Sequence, residues 1–213
     1  MKAKLYDDVE DPAFFYLKDF QARRLRQTYG DFVELPGHQA AAFFFFNRLY
    51  STEDTTERDA AFKKIHGTVT RFLGGEVAHS MAGLIELQDI TVEMDQQMLA
   101  LLGDRSPGFD LATYEEVYRQ CDNYPLRLRQ IELLDFTIRL VFRISHRLGI
   151  GLVLKSLRGA CILMGDTRMV DFLMDGYQAF AHLKKIDPLA EAIVTRETAR
   201  LDRIYGRNDQ SPW

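Results

Sequence analysis

Apolar residues recur along this chain at the spacing of an α-helix, and no stretch alternates with the period of two that a half-buried β-strand shows. The longest apolar stripe falls at positions 76–102, where intervals of three and four residues alternate as in a helix seam. The stripe consists of Val77, Leu84, Leu87, Met94, Met98 and Leu101. It predicts a long core helix of a bundle, with a dimeric coiled coil as the alternative.

Three alanines and then four phenylalanines stand in a row at positions 40–46. Neighbouring residues on an α-helix are ~100° apart, so the four rings point in every direction around the helix axis. A helix that is apolar on all sides is buried on all sides. The segment therefore predicts a central helix over positions 38–50, enclosed by other helices or by a partner subunit.

Helix start and stop signals divide the rest of the chain. Asp11-Pro12 and Asp187-Pro188 each place a capping residue before a proline, Asp110 is the predicted cap of a short helix, and Gly30 and Gly206 end helices. The predicted helices cover about 12–29, 38–50, 56–72, 76–102, 110–121, 122–148, 152–164, 167–185 and 187–205. They predict an all-α fold, a compact multi-helix bundle of about eight or nine helices around the central aromatic helix. We expect a single helical domain over residues 1–206 and a loose C-terminal tail over 207–213.

Composition and charge exclude several classes of protein. The 213 residues are 46% hydrophobic and carry a net charge of −4, which argues against disorder and against a nucleic-acid partner. The N-terminus has no apolar signal region, and the best candidate membrane span, 131–154, contains charged residues such as Asp135, Arg139 and Arg143. Cys121 and Cys161 match no metal spacing and are predicted to be free thiols in a reducing compartment. We therefore expect a cytoplasmic protein with no membrane span.

Three stretches of the chain resemble a group of hypothetical all-helical bacterial proteins. They are Phe45-Phe46-Asn47-Arg48-Leu49-Tyr50-Ser51, Glu57-Arg58-Asp59-Ala60-Ala61-Phe62 and Gly149-Ile150-Gly151-Leu152-Val153-Leu154-Lys155-Ser156-Leu157-Arg158-Gly159-Ala160. The similarity covers most of the chain. No reaction, cofactor or catalytic residue is assigned to that group, so the resemblance implies a bacterial cytoplasmic protein and no particular chemistry.

A glutamate and a histidine with metal-ligand spacing begin the long predicted helix. Glu76 and His79 are three residues apart and share a helix face. Di-iron carboxylate bundles use two such pairs and two further glutamates, but no other histidine of this chain has a glutamate at the required offset. Glu76 also follows Gly74-Gly75, where a carboxylate stabilises a helix start. The pair is therefore a candidate metal site, with a helix-start carboxylate and an ordinary histidine as the alternative.

Basic residues outnumber acidic ones in the stretch 123–160, which contains seven Lys or Arg and two carboxylates. Arg139, Arg143 and Arg147 stand at i, i+4 and i+8 and form one ridge of a helix, called the arginine ridge below. Such a ridge binds a phosphate or carboxylate ligand when it lines a cleft. Otherwise it pairs with acidic side chains. The candidate partners are Asp135, one turn before Arg139, and Glu115, Glu116, Glu53 and Asp54.

No catalytic set is recognisable, because the chain has no G-x-S-x-G and no Ser or Cys that its sequence ties to a His and an acid. Abundant apolar helix faces instead predict a non-enzymatic binding or protein-interaction module, whose partner is itself or another protein. The alternative is an enzyme or sensor that binds a small acidic ligand through the arginine ridge. Methionines at 81, 94 and 98, with 15 Phe and 9 Tyr, also allow an apolar ligand pocket. No cofactor is predicted.

Overall fold

The structure is a computed structural model that describes residues 11–45, 75–163 and 167–207. Those ranges contain α-helices, one 3₁₀ turn at Gly103–Arg105 and no strand, which confirms the all-α prediction. The helices are α1 (Pro12–Thr28), α2 (Gly30–Glu34), α3 (Gln39–Phe43), α4 (Gly75–Leu102), α5 (Leu111–Gln120), α6 (Tyr124–Ser145), α7 (Ile150–Leu163), α8 (Arg168–Ala181) and α9 (Asp187–Tyr205). The predicted helix at 56–72 and tail positions 208–213 lie outside the described residues.

Helix α6 has the most neighbours among the described helices. It packs against α4, α7, α8 and α9, while α1 lies against α4 and α5 joins α4 to α9. Its inward face carries Ile131, Leu134 and Ile138, three buried residues at helical spacing. Within the described ranges, no helix has the length and apolar content required to cross a bilayer.

The aromatic segment is buried on part of its circumference. Phe44 and Phe45 are 7% and 3% exposed and belong to the main core cluster. Phe43 is 57% exposed, so the described helices of this chain do not enclose every ring, and enclosure of Phe43 by a partner subunit stays a prediction. The reason is that α3 packs against α2 and α8, and these neighbours leave one face of the helix uncovered. Phe46 lies outside the described residues.

Phe44 packs closely against a glycine of α8. A Cβ atom built on Gly176 would lie 2.9 Å from Cζ of Phe44, closer than carbon atoms approach in a relaxed core. Phe44 also meets Phe180, one turn further along α8, edge-to-face with ring centroids 6.2 Å apart. A side chain at position 176 would therefore displace the ring that anchors the aromatic segment.

Helix caps follow the sequence at two of three predicted sites. The carboxylates of Asp11 and Asp110 accept from the backbone N–H groups of Ala13 and Thr113, at 2.8 Å and 2.9 Å. Asp187 is not the cap of α9, because Ile186 occupies that position. The carboxylate of Asp187 instead accepts from Arg139 at 2.6 Å, so a tertiary ion pair replaces the local bond.

The structure differs from the sequence-based predictions at two further positions. Gly30, predicted to end a helix, begins α2. On α4, Leu101 is 41% exposed while the neighbouring Leu102 is 1% exposed, because a straight α-helix with 3.6 residues per turn drifts away from a strict seam of threes and fours.

The buried apolar residues form separate clusters. The largest gathers α2, α3, α8 and α9 around Tyr29, Phe45 and Phe180. A second, around Leu17, Met98 and Phe109, joins α1, α4 and α5. Between these clusters the interior is polar, and this junction contains the site described next.

Candidate functional site

A cavity of about 70 Å³ lies at the junction of the two core clusters, where α1, α4, α5, α6 and α9 meet. This volume has room for a few water molecules or for a ligand of a few non-hydrogen atoms. Its polar lining consists of Gln21, Arg24, Tyr29, Thr91, Asp95, Tyr114, Tyr118, Arg127, Gln130 and Glu197. Its apolar lining consists of Leu25, Phe45, Ile131, Leu134 and Ile193.

Arg24 on α1 and Glu197 on α9 form an ion pair at one wall of the cavity. Nη1 of Arg24 donates to both carboxylate oxygens of Glu197, at 2.8 Å and 2.9 Å, and the hydroxyl of Tyr29 donates to the same carboxylate at 2.9 Å. Burial raises the pKa of the Tyr29 hydroxyl, and the negative charge of Glu197 raises that pKa further. Nε of Arg24 has no hydrogen-bond partner in the described part of the chain. The guanidinium is therefore satisfied only in part.

Asp95 on α4 is the second carboxylate of the cavity wall, and its side chain is buried. Lys18 Nζ donates to one of its oxygens and Gln21 Nε2 donates to the other, each at 2.9 Å. Lys18 and Gln21 are three residues apart and share a face of α1. Both carboxylates that line the cavity are thus already neutralised by cations of α1.

Arg127 on α6 has no such counterion. It is 4% exposed, and no carboxylate of the described ranges lies within ion-pair distance of it. Its Nε donates to the Asn123 side-chain oxygen at 3.2 Å, and its Cζ lies 4.0 Å from the ring centroid of Tyr118. Its Nη2 has no hydrogen-bond partner in those same ranges. A buried guanidinium in this state costs free energy unless an anion joins it.

A polar network fixes the position of the Arg127 guanidinium. The Asn123 amide donates to Gln97 Oε1 on α4 at 2.6 Å, so its oxygen faces Arg127. The Tyr205 hydroxyl accepts from the backbone N–H of Asn123 at 3.2 Å and donates to the Tyr118 carbonyl at 3.1 Å. Burial raises the pKa of the Tyr118 hydroxyl although Arg127 opposes the shift. The charge is therefore held in place before any ligand binds.

A further arginine beside the cavity increases the positive charge around it. Burial lowers the pKa of Arg200, and the charge of Arg24 lowers it further, while Glu115 opposes both effects. An Arg200 nitrogen lies 3.2 Å from the Glu115 carboxylate, and that carboxylate also accepts from Arg203 at 2.7 Å. The Glu115 charge is therefore shared between two arginines of α9, and positive charge remains in excess around the cavity.

The structure places the arginine ridge away from this cavity. Arg139 donates to Asp135 at 2.8 Å, as the spacing predicts, and to Asp187 at 2.6 Å. Arg143 and Arg147 are exposed. Glu115, one of the expected partners of the ridge, pairs with arginines of α9 instead. Ligand binding by the ridge stays a prediction.

The metal prediction also stays open. Glu76 and His79 belong to helix α4, and the structure describes their backbone but not their side chains. Among the side chains that are described, no group of three or more His, Cys, Asp or Glu has the arrangement of a metal site. Cys161 is buried, Cys121 is partly buried, and both are free thiols, as the sequence predicts.

The sequence patterns indicate Arg127 only as one of seven basic residues in the stretch 123–160, and they do not single out the polar residues of the cavity. A signal was nevertheless present, because Arg127, Ile131, Leu134 and Ile138 are spaced by four, three and four residues along α6. A cation in register with the apolar stripe of a helix faces the interior. The other half of the site comes from α1 and α9, and pairing between distant helices cannot be read from local spacing.

The chain belongs to the family described as Domain of unknown function (DUF8198), whose model matches residues 5–211. The predicted resemblance to proteins with no assigned activity is thereby confirmed, and a bacterial origin stays a prediction. No curated protein matches the chain, and no solved structure matches it.

Proposed function

We propose that this protein is a non-catalytic binding protein, and that its ligand is a small anion held by Arg127 in the cavity between α1, α4, α5, α6 and α9. One observation carries the proposal: a guanidinium that is 4% exposed has an unpartnered Nη2 and no carboxylate counterion among the described residues. An anion entering the cavity would supply the missing charge and the missing hydrogen-bond acceptor. We also propose that residues 1–206 form a single domain, because the cavity draws on helices near both ends of that range.

The lining favours a carboxylate with a short apolar part. Leu25, Ile131 and Leu134 present apolar surface beside the Arg127 charge. Phosphate requires many donors to replace its hydration, whereas the unpartnered donors here are Nη2 of Arg127 and Nε of Arg24. A carboxylate of a few carbon atoms matches both the donors and the volume of about 70 Å³.

Thermal unfolding in the presence of single anions tests the proposal. Acetate, propionate and phosphate are each compared with chloride at equal ionic strength, and calorimetry measures the stoichiometry. We expect a saturable rise in Tm with propionate, binding of one equivalent, and a smaller response to phosphate. No rise with any of the anions would overturn the proposal.

Two variants connect the effect to Arg127. Arg127→Met removes the buried charge and is expected to abolish the response, while the matched Arg143→Met, at an exposed position, is expected to retain it. Leu25→Phe keeps every charge but fills the cavity from α1, so it should also weaken binding. An equal response in the wild type and Arg127→Met would place the anion elsewhere.

The arginine ridge is the second candidate for an acidic ligand. The ion pairs of Arg139 with Asp135 and Asp187 support a structural role for that residue. If the ridge is the binding site, Arg143→Ala abolishes anion binding while the fold survives. Interaction with a second copy of the chain, or with another protein, also stays a prediction, which light scattering at micromolar concentration tests.

A further inference from the structure

One uninterrupted stretch of the chain contains basic residues and no acidic residue. Between Asp135 and Asp166 there are five Lys or Arg residues and no acidic residue, although the whole chain carries a net charge of −4. The stretch covers the C-terminal part of α6, the turn after it and all of α7. Arg139 and Arg158 are paired with aspartates, so the positive charge of the stretch lies mainly around the turn and the first half of α7.

The turn between α6 and α7 carries this charge at an exposed corner of the fold. Arg143 and Arg147 are exposed, one on the last turn of α6 and the other just after it. The chain then reverses at Gly149, whose φ of +85° favours glycine. Leu148, between Arg147 and that glycine, is fully exposed at 104%. A leucine at the tip of a turn makes no contribution to the core.

Helix α7 continues the same surface. Leu152 is 71% exposed and stands four residues after Leu148, with Lys155 exposed three residues further on. The opposite face of α7 is buried through Ile150 and Leu154. Arg143 and Lys155 have no carboxylate partner in the described part of the chain. The corner thus presents two apolar side chains surrounded by cations.

We propose that this basic corner docks on an anionic lipid surface. Protruding leucines insert between lipid headgroups, and the flanking cations bind the lipid phosphates and carboxylates. Nucleic acid would engage the cations but gives no role to two exposed leucines. A protein partner of stable affinity covers roughly 800 Å² on each side, whereas the apolar side chains exposed at this corner are two leucines four residues apart, which suit insertion into a deformable bilayer. The proposal does not depend on the anion cavity.

Vesicle co-sedimentation tests this docking with the full chain. Vesicles of phosphatidylcholine with about one third phosphatidylserine are compared with vesicles of phosphatidylcholine alone. We expect binding to the anionic vesicles only, and a loss of that binding as salt is raised. Absence of binding, or equal binding to both vesicle types, would overturn the proposal.

Paired variants separate the two parts of the corner. A double change Leu148→Ser with Leu152→Ser, and another Arg143→Gln with Lys155→Gln, are each expected to weaken vesicle binding about tenfold. Matched controls elsewhere on the surface, Leu111→Ser and Arg119→Gln, should leave it within about twofold of the wild type.

The residues changed in these variants are exposed, so the fold is expected to survive, and circular dichroism checks it. Two outcomes would contradict lipid docking. In one, the variant with Arg143 and Lys155 changed loses binding while the leucine variant retains it. In the other, the wild type binds soluble polyglutamate as well as it binds the vesicles, which would indicate an acidic protein partner instead.

Discussion

Arg24 Nη1 lies 2.8 Å and 2.9 Å from the two carboxylate oxygens of Glu197, and this pair joins α1 to α9 beside the polar cavity. The side chains are 16% and 13% exposed, so the pair is largely withdrawn from water. Breaking such a pair by removing one charge leaves the other charge buried and uncompensated.

Glu197→Gln is expected to lower the free energy of unfolding by about 3 kcal/mol, because Arg24 loses its counterion and Tyr29 loses a charged acceptor. Urea unfolding monitored by circular dichroism measures the change. The matched control is Glu86→Gln, which removes one carboxylate of an exposed pair with Arg129 and should have little effect. Equal changes in the free energy of unfolding would show that the Arg24–Glu197 pair stabilises the fold no more than the exposed pair does.

Arg127→Met is expected to leave the free energy of unfolding unchanged or to raise it by about 1 kcal/mol in the absence of added anions. The physical reason is that Arg127 has no carboxylate to leave unpaired, and the methionine still packs on the Tyr118 ring.

Arg24→Met provides the contrast to Arg127→Met. It should be destabilising, because Glu197 then remains buried without its cation. Urea unfolding of both variants in the same buffer makes the comparison. A loss of more than about 2 kcal/mol in Arg127→Met would mean that Arg127 stabilises the fold, and the argument for a ligand would fail.

Two glycine substitutions test the packing of the aromatic segment. Gly176→Ala places a Cβ 2.9 Å from the Phe44 ring and is expected to destabilise the protein by about 1 kcal/mol, after the gain in helix propensity is deducted. Gly159→Ala meets nothing within 4 Å and should stabilise by up to about 1 kcal/mol. Thermal unfolding gives both values. A stabilising Gly176→Ala would show that Phe44 is not held against α8.

Stability is expected to fall in acid. Hydrogen bonds from Arg196 and Arg203 lower the pKa of Asp31 and Glu115 respectively, and partners also lower the pKa of other carboxylates. These other carboxylates are Glu86, Asp110 and Asp171. A lowered pKa in the folded state means that the unfolded chain binds more protons at acid pH, so the stabilisation is present above the ordinary pKa and is lost as the pH falls through the folded-state value.

The urea midpoint should therefore change little between about pH 7 and pH 5 and decrease below about pH 4.5. Glu115→Gln should flatten part of this decrease, because one of the shifted groups is then missing. An increase in the urea midpoint as the pH is lowered from about 5 to about 3 would contradict the ion-pair assignments.

The sequence predicted most of the helices because their signals are local. Apolar periodicity, Asp11 and Asp110 as caps, and the i, i+4 pair of Asp135 with Arg139 each act within a few residues. The exposure of Phe43 was not predictable in this way, because it depends on which neighbours cover α3. Asp187 fails as a cap for the same reason, since Arg139, distant in sequence, binds its carboxylate.

The candidate site was hidden from the sequence by the same limitation. Arg24 and Glu197 are 173 residues apart, and Lys18 and Asp95 are 77 apart. No local spacing shows that these carboxylates are neutralised while Arg127 is not. The arginine ridge was conspicuous because its members share one helix face, yet Arg139 proves to be paired with two aspartates.

The most direct measurement of the central claim is an NMR titration of the arginine side-chain nitrogens with propionate. The account predicts that the Arg127 signals shift saturably with one equivalent bound, that the Arg24 Nε signal follows with the same affinity, and that the exposed Arg143 does not respond. Arg127 signals that stay unchanged at every propionate concentration, in a protein that remains folded, would contradict it.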